Sequence, residues 1–272
     1  MVYLSSFKLS DRQMKDPNIY PYSVFRSRSI APFVFSPVTV LYGNNGSGKS
    51  TILNIIALCL SLKGREYPTS NSFGRVDYLG LFCRECSYDL GEYEDGQPVR
   101  KIPGCSRYIK SEDILYEIKK VEQKHVLEDG LVYDLMREKE FSGKKAEEFL
   151  KSREMWDLME RISFAQEKYS NGETALMLLD DLIQPDGLYL LDEPEVSLAP
   201  QNQVKTAEQI NRMAQLLGCQ FIVATHSPFM LGTLHGRIYD LDSPDVDIRE
   251  WTDLENVRYF FDFFQKHAEA FS

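Results

Sequence analysis

The sequence predicts an α/β protein whose mainly parallel sheet is flanked by helices. Two observations carry this prediction. A buried strand runs through a glycine-rich turn directly into a helix near residue 50, and strands and helices alternate over the last hundred residues. Alternating strands and helices favour parallel pairing, because each crossover helix returns the chain to the same end of the sheet.

The individual elements follow from short apolar runs and from the glycines that end them. Residues 65–107 are turn-rich and of mixed character. Residues 111–164 are rich in Glu, Lys, Leu and Met, which predicts a helical insert. The predicted strands are 37–42, 187–191, 220–225 and 237–241, and the predicted helices are 51–62 and 201–217.

Composition excludes several classes of protein. The 272 residues are 43% hydrophobic and 26% charged, which is typical of a globular chain rather than a disordered or fibrous one. No apolar stretch approaches the roughly 18 residues of a membrane span, so we expect no membrane partner. Five cysteines, an odd number, argue against a disulfide framework and favour a cytoplasmic location.

The net charge of −10 is unevenly distributed. Residues 171–272 contain 17 acidic and 6 basic side chains, so nearly all the excess acidity lies there. A DNA-contacting surface would therefore lie on the N-terminal part or on the helical insert, because phosphate binding needs basic side chains.

The strongest motif is a phosphate loop between a strand and a helix. Gly43 to Ser50 has the pattern of Gly, four residues, Gly-Lys-Ser, in which backbone N–H groups surround a phosphate. Lys49 would reach the β- and γ-phosphates, and Ser50 would bind Mg²⁺. An ordinary glycine-rich turn is the alternative, and the flanking strand and helix favour the phosphate loop. We predict nucleotide contacts, from ATP or GTP, at Gly43, Asn44, Asn45, Gly46, Ser47, Gly48, Lys49, Ser50 and Thr51.

Two carboxylates and one histidine follow later strands. Asp192 and Glu193 end an apolar strand, which predicts that Asp192 binds Mg²⁺ and that Glu193 polarises the attacking water. His226 follows the next strand, where it could contact the γ-phosphate. The catalytic candidates are therefore Glu193, His226 and Lys49.

A fourth motif has two interpretations. Ser170 with Glu173 forms a capping box, which a helix start explains by itself. The same helix N-terminus is also an anion site. The order of the motifs favours the second interpretation: phosphate loop, helical segment, Ser-x-Gly-Glu, Asp-Glu strand and His.

In this order of motifs the chain resembles the ABC-type ATPase superfamily, in its SMC/RecF-like branch. It is most similar to small standalone bacterial ATPases, through segments over nearly the whole chain: 20–23, 82–87, 189–195, 221–228 and 257–263. The resemblance implies one ABC-type domain over 1–272, with a nucleotide-binding lobe (1–105 and 185–272) and a helical insert and signature lobe (106–184).

The resemblance also implies a mechanism. Two copies would enclose two Mg²⁺-bound ATP molecules, and Ser170, Asn171 and Gly172 of each would contact the γ-phosphate on the other. Residues 195–200 resemble the family's D-loop, which couples the two sites. Arg28 lies upstream of the phosphate loop, where the superfamily often places nucleotide contacts.

Two motifs depart from the family pattern, and a pair of cysteines has two interpretations. The signature is Ser-Asn-Gly-Glu rather than Ser-Gly-Gly-Gln, and Arg84-Glu85 stands where a glutamine is expected in the Q-loop. Cys83 and Cys86 are spaced as zinc ligands, but only Cys105 and His125 could complete a four-ligand site, so two partly buried thiols are the preferred interpretation.

We therefore expect an ATPase that dimerises around two Mg²⁺-ATP and acts in DNA repair, chromosome maintenance or phage defence, with DNA or an effector protein as a possible partner. One alternative is a nucleotide-gated sensor or regulatory subunit that controls a partner. Another is the energising subunit of a membrane transporter, which the Ser-Asn-Gly-Glu signature and Thr225–Pro228 disfavour.

Overall fold

The computed structural model describes residues 1–16, 18–26, 28, 30–67, 76–93, 95–112 and 182–271. In these residues the strands are β1 (Leu4–Lys8), β2 (Phe33–Val34), β3 (Val38–Tyr42), β4 (Ser87–Leu90), β5 (Arg107–Lys110), β6 (Leu188–Asp192), β7 (Gln220–Thr225) and β8 (Arg237–Asp240). The α-helices are α1 (Lys49–Cys59), α2 (Tyr78–Glu85), α3 (Pro200–Leu216), α4 (Pro228–Thr233) and α5 (Glu255–Lys266).

The main sheet has five parallel strands in the order β5-β6-β7-β3-β8. Every residue of β3, β6 and β7 is buried, which explains their continuous apolar sequences. The predicted α/β class and the parallel sheet are confirmed.

A second, antiparallel sheet has the order β2-β1-β4. One core cluster includes side chains of both sheets and of α1, among them Phe7, Leu41, Ile52, Ile56 and Leu190. Helix α1 contacts β5, β6 and β7 of the main sheet, so the core fixes the helix that follows the glycine-rich turn.

Helix α1 begins two residues before its predicted start and ends three residues before its predicted end. Ser61 has a φ of 55°, and the N–H groups of Ser61 and Leu62 donate to the carbonyls of Leu58 and Ala57. This is a Schellman ending with a serine in the left-handed position that glycine usually takes. Gly64 therefore does not end the helix.

The segment predicted to be turn-rich contains regular structure. Helix α2 begins after Asp77, whose carboxylate accepts a 2.8 Å hydrogen bond from the Gly80 N–H. Strands β4 and β5 also lie in or at the end of this segment. The sequence indicated mixed structure there without locating these short elements, because tertiary pairing stabilises them.

The chain divides into two compact units, one of residues 1–111, 183–196 and 203–272, the other of 112–182 and 197–202. The helical insert (111–164) lies outside the described residues except for its first two, and the lobe boundaries stay a prediction. None of the helices in the described ranges is long and apolar enough to cross a membrane.

Helix α5 exposes its aromatic side chains. Tyr259, Phe261 and Phe264 are each more than half exposed, whereas Val257 is the residue of this helix that is buried. Helix α5 therefore has a largely exposed aromatic face.

Gln220 at the start of β7 joins the two sheets. Its Oε1 accepts hydrogen bonds from the N–H groups of Tyr3 and Leu4 at 2.7 and 2.9 Å, and its Nε2 donates to the Leu4 carbonyl at 2.8 Å. Gln220 is fully buried. A single amide therefore satisfies three backbone groups at the start of β1.

Replacing Gln220 by Ala should lower the free energy of unfolding by about 2–4 kcal/mol, because buried backbone groups lose their partners. Urea denaturation measures the loss. The exposed Gln215→Ala is the matched control and should change stability by less than about 0.5 kcal/mol. Equal effects of the two variants would contradict this role.

Candidate functional site

The glycine-rich turn joins β3 to α1 in a shape that needs glycine. Gly46 and Gly48 have φ values of 84° and 102°, which other residues rarely adopt. A Cβ on Gly48 would lie 2.9 Å from Cγ1 of Val24, and one on Gly43 would lie 2.5 Å from Oγ of Ser47. The sequence pattern is therefore required by the backbone of the turn.

Lys49 lies inside this loop. Its side chain is 4% exposed, and Nζ donates to the carbonyls of Gly43 at 2.7 Å and Asn44 at 3.3 Å. The same Nζ lies 3.5 Å from Oε1 of Glu193. The ammonium group is thus held where the loop and the end of β6 meet.

Other predicted loop residues occupy different positions. Asn45 and Gly46 are exposed, as is Ser50 at the start of α1, while Thr51 is partly buried. Oγ of Ser47 is buried and has no hydrogen-bond partner among the described residues. The loop therefore includes a buried hydroxyl that can still form a hydrogen bond.

Arg28 contacts the loop rather than extending beyond it. Its Nη1 donates to the carbonyls of Ser47 at 3.2 Å and of Leu241 at 3.0 Å. The guanidinium therefore connects the loop to the end of β8, and its predicted nucleotide contact stays a prediction.

Asp242, which follows β8, is a site residue that was not predicted from the sequence. Its Oδ2 accepts a 2.8 Å hydrogen bond from the backbone N–H of Asn44. A loop amide is therefore already bound to a carboxylate oxygen. The sequence could have indicated this role, because Asp242 comes directly after a predicted strand of the same sheet.

Asp192 ends β6 as a buried carboxylate. Its Oδ2 accepts a 2.8 Å hydrogen bond from the Tyr108 hydroxyl, while Oδ1 is buried without a partner in the described residues. Burial raises the pKa of the carboxyl and the charge of Glu193 adds to the rise, whereas hydrogen bonds from Tyr108 and Ser50 oppose it. An unpartnered carboxylate oxygen beside a serine hydroxyl suits Mg²⁺, which prefers oxygen ligands.

Glu193 and His226 meet beside this carboxylate. Oε1 of Glu193 lies 3.4 Å from Nδ1 of His226, and the Glu193 side chain is 26% exposed. Glu193 has a φ of 48°, and its N–H donates to the carbonyl of Ala224 on β7 at 2.9 Å. The left-handed backbone at Glu193 turns the chain sharply after β6.

The remaining predicted residues fall into two groups. Ser170, Asn171 and Gly172 lie outside the described residues, so the structure does not test their role. Cys83 and Cys86 lie near Cys59, whose thiol donates a 3.6 Å hydrogen bond to the backbone carbonyl of Cys83. No group of three or more His, Cys, Asp or Glu side chains in the described ranges could hold a metal ion.

Glu85, where a Q-loop residue is expected, contacts the N-terminal segment instead. Its carboxylate accepts hydrogen bonds from Ser10 at 2.7 Å, Arg12 at 2.6 Å and the Tyr22 hydroxyl at 2.9 Å. These three contacts account for both carboxylate oxygens, so the structure gives Glu85 a role in holding residues 10–22.

A parallel sheet with a phosphate loop, a buried lysine and a carboxylate pair at one edge defines a P-loop nucleotide-binding protein. Residues 18–211 match a family model described as an AAA domain (AAA_23), and the chain belongs to this family. This match confirms the predicted class, an ABC/SMC-like ATPase domain. Among curated proteins, none matches the chain significantly.

Solved structures of similar fold include SMC heads and an ABC cassette. The Pyrococcus furiosus SMC head domain bound to the C-terminal domain of ScpA is 15% identical, with a TM-score of 0.45, over 97% of this chain and 100% of that one. The Thermotoga maritima SMC head domain is 17% identical, with a TM-score of 0.43, over 88% and 94%. The dimeric bacterial ABC transporter cassette MJ0796 is 18% identical, with a TM-score of 0.44, over 93% and 100%. At these low scores the likenesses carry no conclusion about function.

Replacing Asp192 by Asn should stabilise the ligand-free protein. The folded-state pKa of Asp192 is raised, so its ionised form weakens folding at neutral pH, and this cost disappears as the pH falls. Asn cannot ionise but still accepts the Tyr108 hydrogen bond. We expect Tm at neutral pH to rise by about 2–4 °C, or about 1 kcal/mol.

Thermal denaturation at neutral and acidic pH measures this difference. The exposed Asp245→Asn is the matched control and should leave Tm almost unchanged. Two outcomes would contradict the electrostatic cost of Asp192. One is a Tm of Asp192→Asn below that of the wild type at neutral pH, and the other is a gain in Tm that is as large at acidic pH as at neutral pH.

Proposed function

We propose that this protein binds and hydrolyses ATP with Mg²⁺, as a dimer that closes around two nucleotides. The observation that carries the proposal is the convergence of Lys49, Asp192, Glu193 and His226, from three separate segments of sequence, at one edge of the sheet. Lys49 lies 3.5 Å and His226 3.4 Å from the same Glu193 oxygen.

Nucleotide binding would use the loop and Lys49. The backbone N–H groups of Gly43 to Ser50, together with the start of α1, favour a phosphate group. Lys49 Nζ would exchange its hydrogen bonds with the loop carbonyls for phosphate oxygens. Ser50 and Asp192 would hold Mg²⁺, which when bound offsets the negative charge of the phosphates.

Hydrolysis would depend on Glu193. Its carboxylate is partly exposed, so it can accept a proton from a water molecule at the γ-phosphate. His226 lies next to it with Nδ1 towards the Glu193 carboxylate, a position from which the ring could contact the γ-phosphate.

Dimerisation rests on the resemblance to ABC-type ATPases. Ser170, Asn171 and Gly172 of one copy would contact the γ-phosphate bound to the other, so that ATP closes the dimer and hydrolysis reopens it. The same resemblance supports a role in DNA repair, chromosome maintenance or phage defence, and the odd number of cysteines favours a cytoplasmic location. DNA would then contact the N-terminal lobe or the helical insert.

A second candidate function is a nucleotide-gated regulatory subunit. The exposed aromatic face of α5 favours it, because exposed apolar surfaces often bind other proteins. Slow turnover that DNA does not stimulate would support this candidate, whereas stimulation by DNA would support the first.

Glu193→Gln should lower the ATP turnover number at least about 100-fold, because Gln cannot accept the proton from water. ATP binding should remain, and the variant should accumulate as an ATP-dependent dimer in analytical ultracentrifugation. The exposed Glu208→Gln on α3 is the matched control and should behave as the wild type.

Two further variants separate binding from dimerisation. Lys49→Ala should abolish ATP binding and therefore the dimer, whereas Ser170→Arg should bind ATP and remain monomeric. A Glu193→Gln protein that binds ATP but stays monomeric would refute the closed dimer, and undiminished turnover would refute the role of Glu193.

A further inference from the structure

Glu195 is a buried carboxylate two residues after the proposed base. Its side chain is 5% exposed, and its Oε2 has no hydrogen-bond partner in the described part of the chain. Burial of an ionised carboxylate is costly, so a buried carboxyl group is expected to be neutral or held by hydrogen-bond donors.

The other oxygen of Glu195 collects several donors from the end of β7. Oε1 accepts from the Thr225 hydroxyl at 2.5 Å and from the backbone N–H of His226 at 3.2 Å. The same oxygen lies 3.8 Å from Nδ1 of the His226 ring. Oε1 of Glu195 thus contacts the backbone of His226 and also lies near its imidazole ring.

These contacts continue along the chain. Oγ1 of Thr225 accepts a 3.0 Å hydrogen bond from the Ser227 N–H, and Ser227 caps α4 by accepting from the N–H groups of Phe229 and Met230. The segment from Thr225 to Ser227 is therefore fixed on both sides of His226.

The described residues hold the His226 ring less firmly than its backbone. Its side chain is 43% exposed, and its Nδ1 is buried without a hydrogen bond in the described residues, between Glu193 at 3.4 Å and Glu195 at 3.8 Å. Asn256 Nδ2 also donates a 3.0 Å hydrogen bond to the His226 carbonyl.

We propose that Glu195 is a positioning residue, which acts as a hydrogen-bond acceptor to hold His226 with its Nδ1 beside Glu193. This inference rests on the proposed function, since the position matters for catalysis only if Glu193 activates water. Glu195 does not touch the nucleotide in this proposal and acts through His226.

The structure favours an acceptor over a charge. Burial raises the pKa of Glu195, with the hydrogen bonds from Thr225 and His226 opposing the rise, which favours the neutral acid. A neutral carboxyl group and a glutamine amide have the same shape, and each offers one carbonyl oxygen. Gln should therefore replace Glu195, and residues without an acceptor should not.

Three variants of the full chain test this. Glu195→Ala and Glu195→Met should lower the turnover number about 10- to 100-fold, as expected for a misplaced catalytic group, with ATP affinity changed less than about threefold. Glu195→Gln should keep turnover within about threefold of wild type. Glu195→Met fills the volume, so it keeps the test valid if the Ala variant unfolds. Glu208→Ala is the exposed control.

A spectroscopic measurement tests the position without turnover. The chain has four histidines, so ¹⁵N-histidine NMR, assigned with a His226→Asn spectrum, can follow one ring. Its signals should shift or broaden in Glu195→Ala and Glu195→Met, and match the wild type in Glu195→Gln. Unchanged His226 signals in the Ala and Met variants would overturn the inference, as would a Gln variant as slow as the Ala variant.

Measuring Glu193→Gln in parallel distinguishes a failure of the inference about Glu195 from a failure of the proposed function. If it loses turnover while the Ala and Met variants at 195 keep it, the inference about Glu195 fails and the proposed function stands. If the wild type does not hydrolyse ATP, the proposed function fails, and the NMR result alone decides whether Glu195 positions His226.

Discussion

The parallel register of the main sheet is the constraint on which the site depends. Asp192 of β6 pairs with Ala224 of β7, and Tyr42 of β3 pairs with both Thr225 of β7 and Asp240 of β8. These strands therefore end together, and whatever follows them meets at one edge. The loop after β3, Glu193 after β6 and His226 after β7 are neighbours for this reason.

Burial gives this edge its chemical character. Lys49, Asp192 and Glu195 are each less than a tenth exposed, so each of these ionisable groups is largely removed from water. The loop carbonyls stabilise Lys49, and hydroxyl groups of Tyr108 and Thr225 stabilise the two carboxylates. The partly exposed Glu193 stands among these groups as the carboxylate with most access to solvent.

Local sequence was sufficient where structure is local. The strand, glycine-rich turn and helix around residues 38–59 lie within one segment, so their pattern could be read directly, apart from the exact helix ends. The hydrogen bonds of Asp242 to Asn44 and of Tyr108 to Asp192 join residues 198 and 84 positions apart, and no local pattern indicates them. Helix α2 was missed because its eight residues include Gly80 and give little helical signal by themselves. Its stability comes from Asp77 and from its contacts with the core.

The aromatic face of α5 affects how self-association of this protein is to be understood. Contacts between exposed aromatic rings need no nucleotide, and they strengthen in salts such as sulfate that favour burial of apolar surface. Contacts through bound phosphate depend on nucleotide and weaken as salt screens charge. The two routes to a dimer therefore respond in opposite directions to ionic strength, and nucleotide and salt must be varied together to tell them apart.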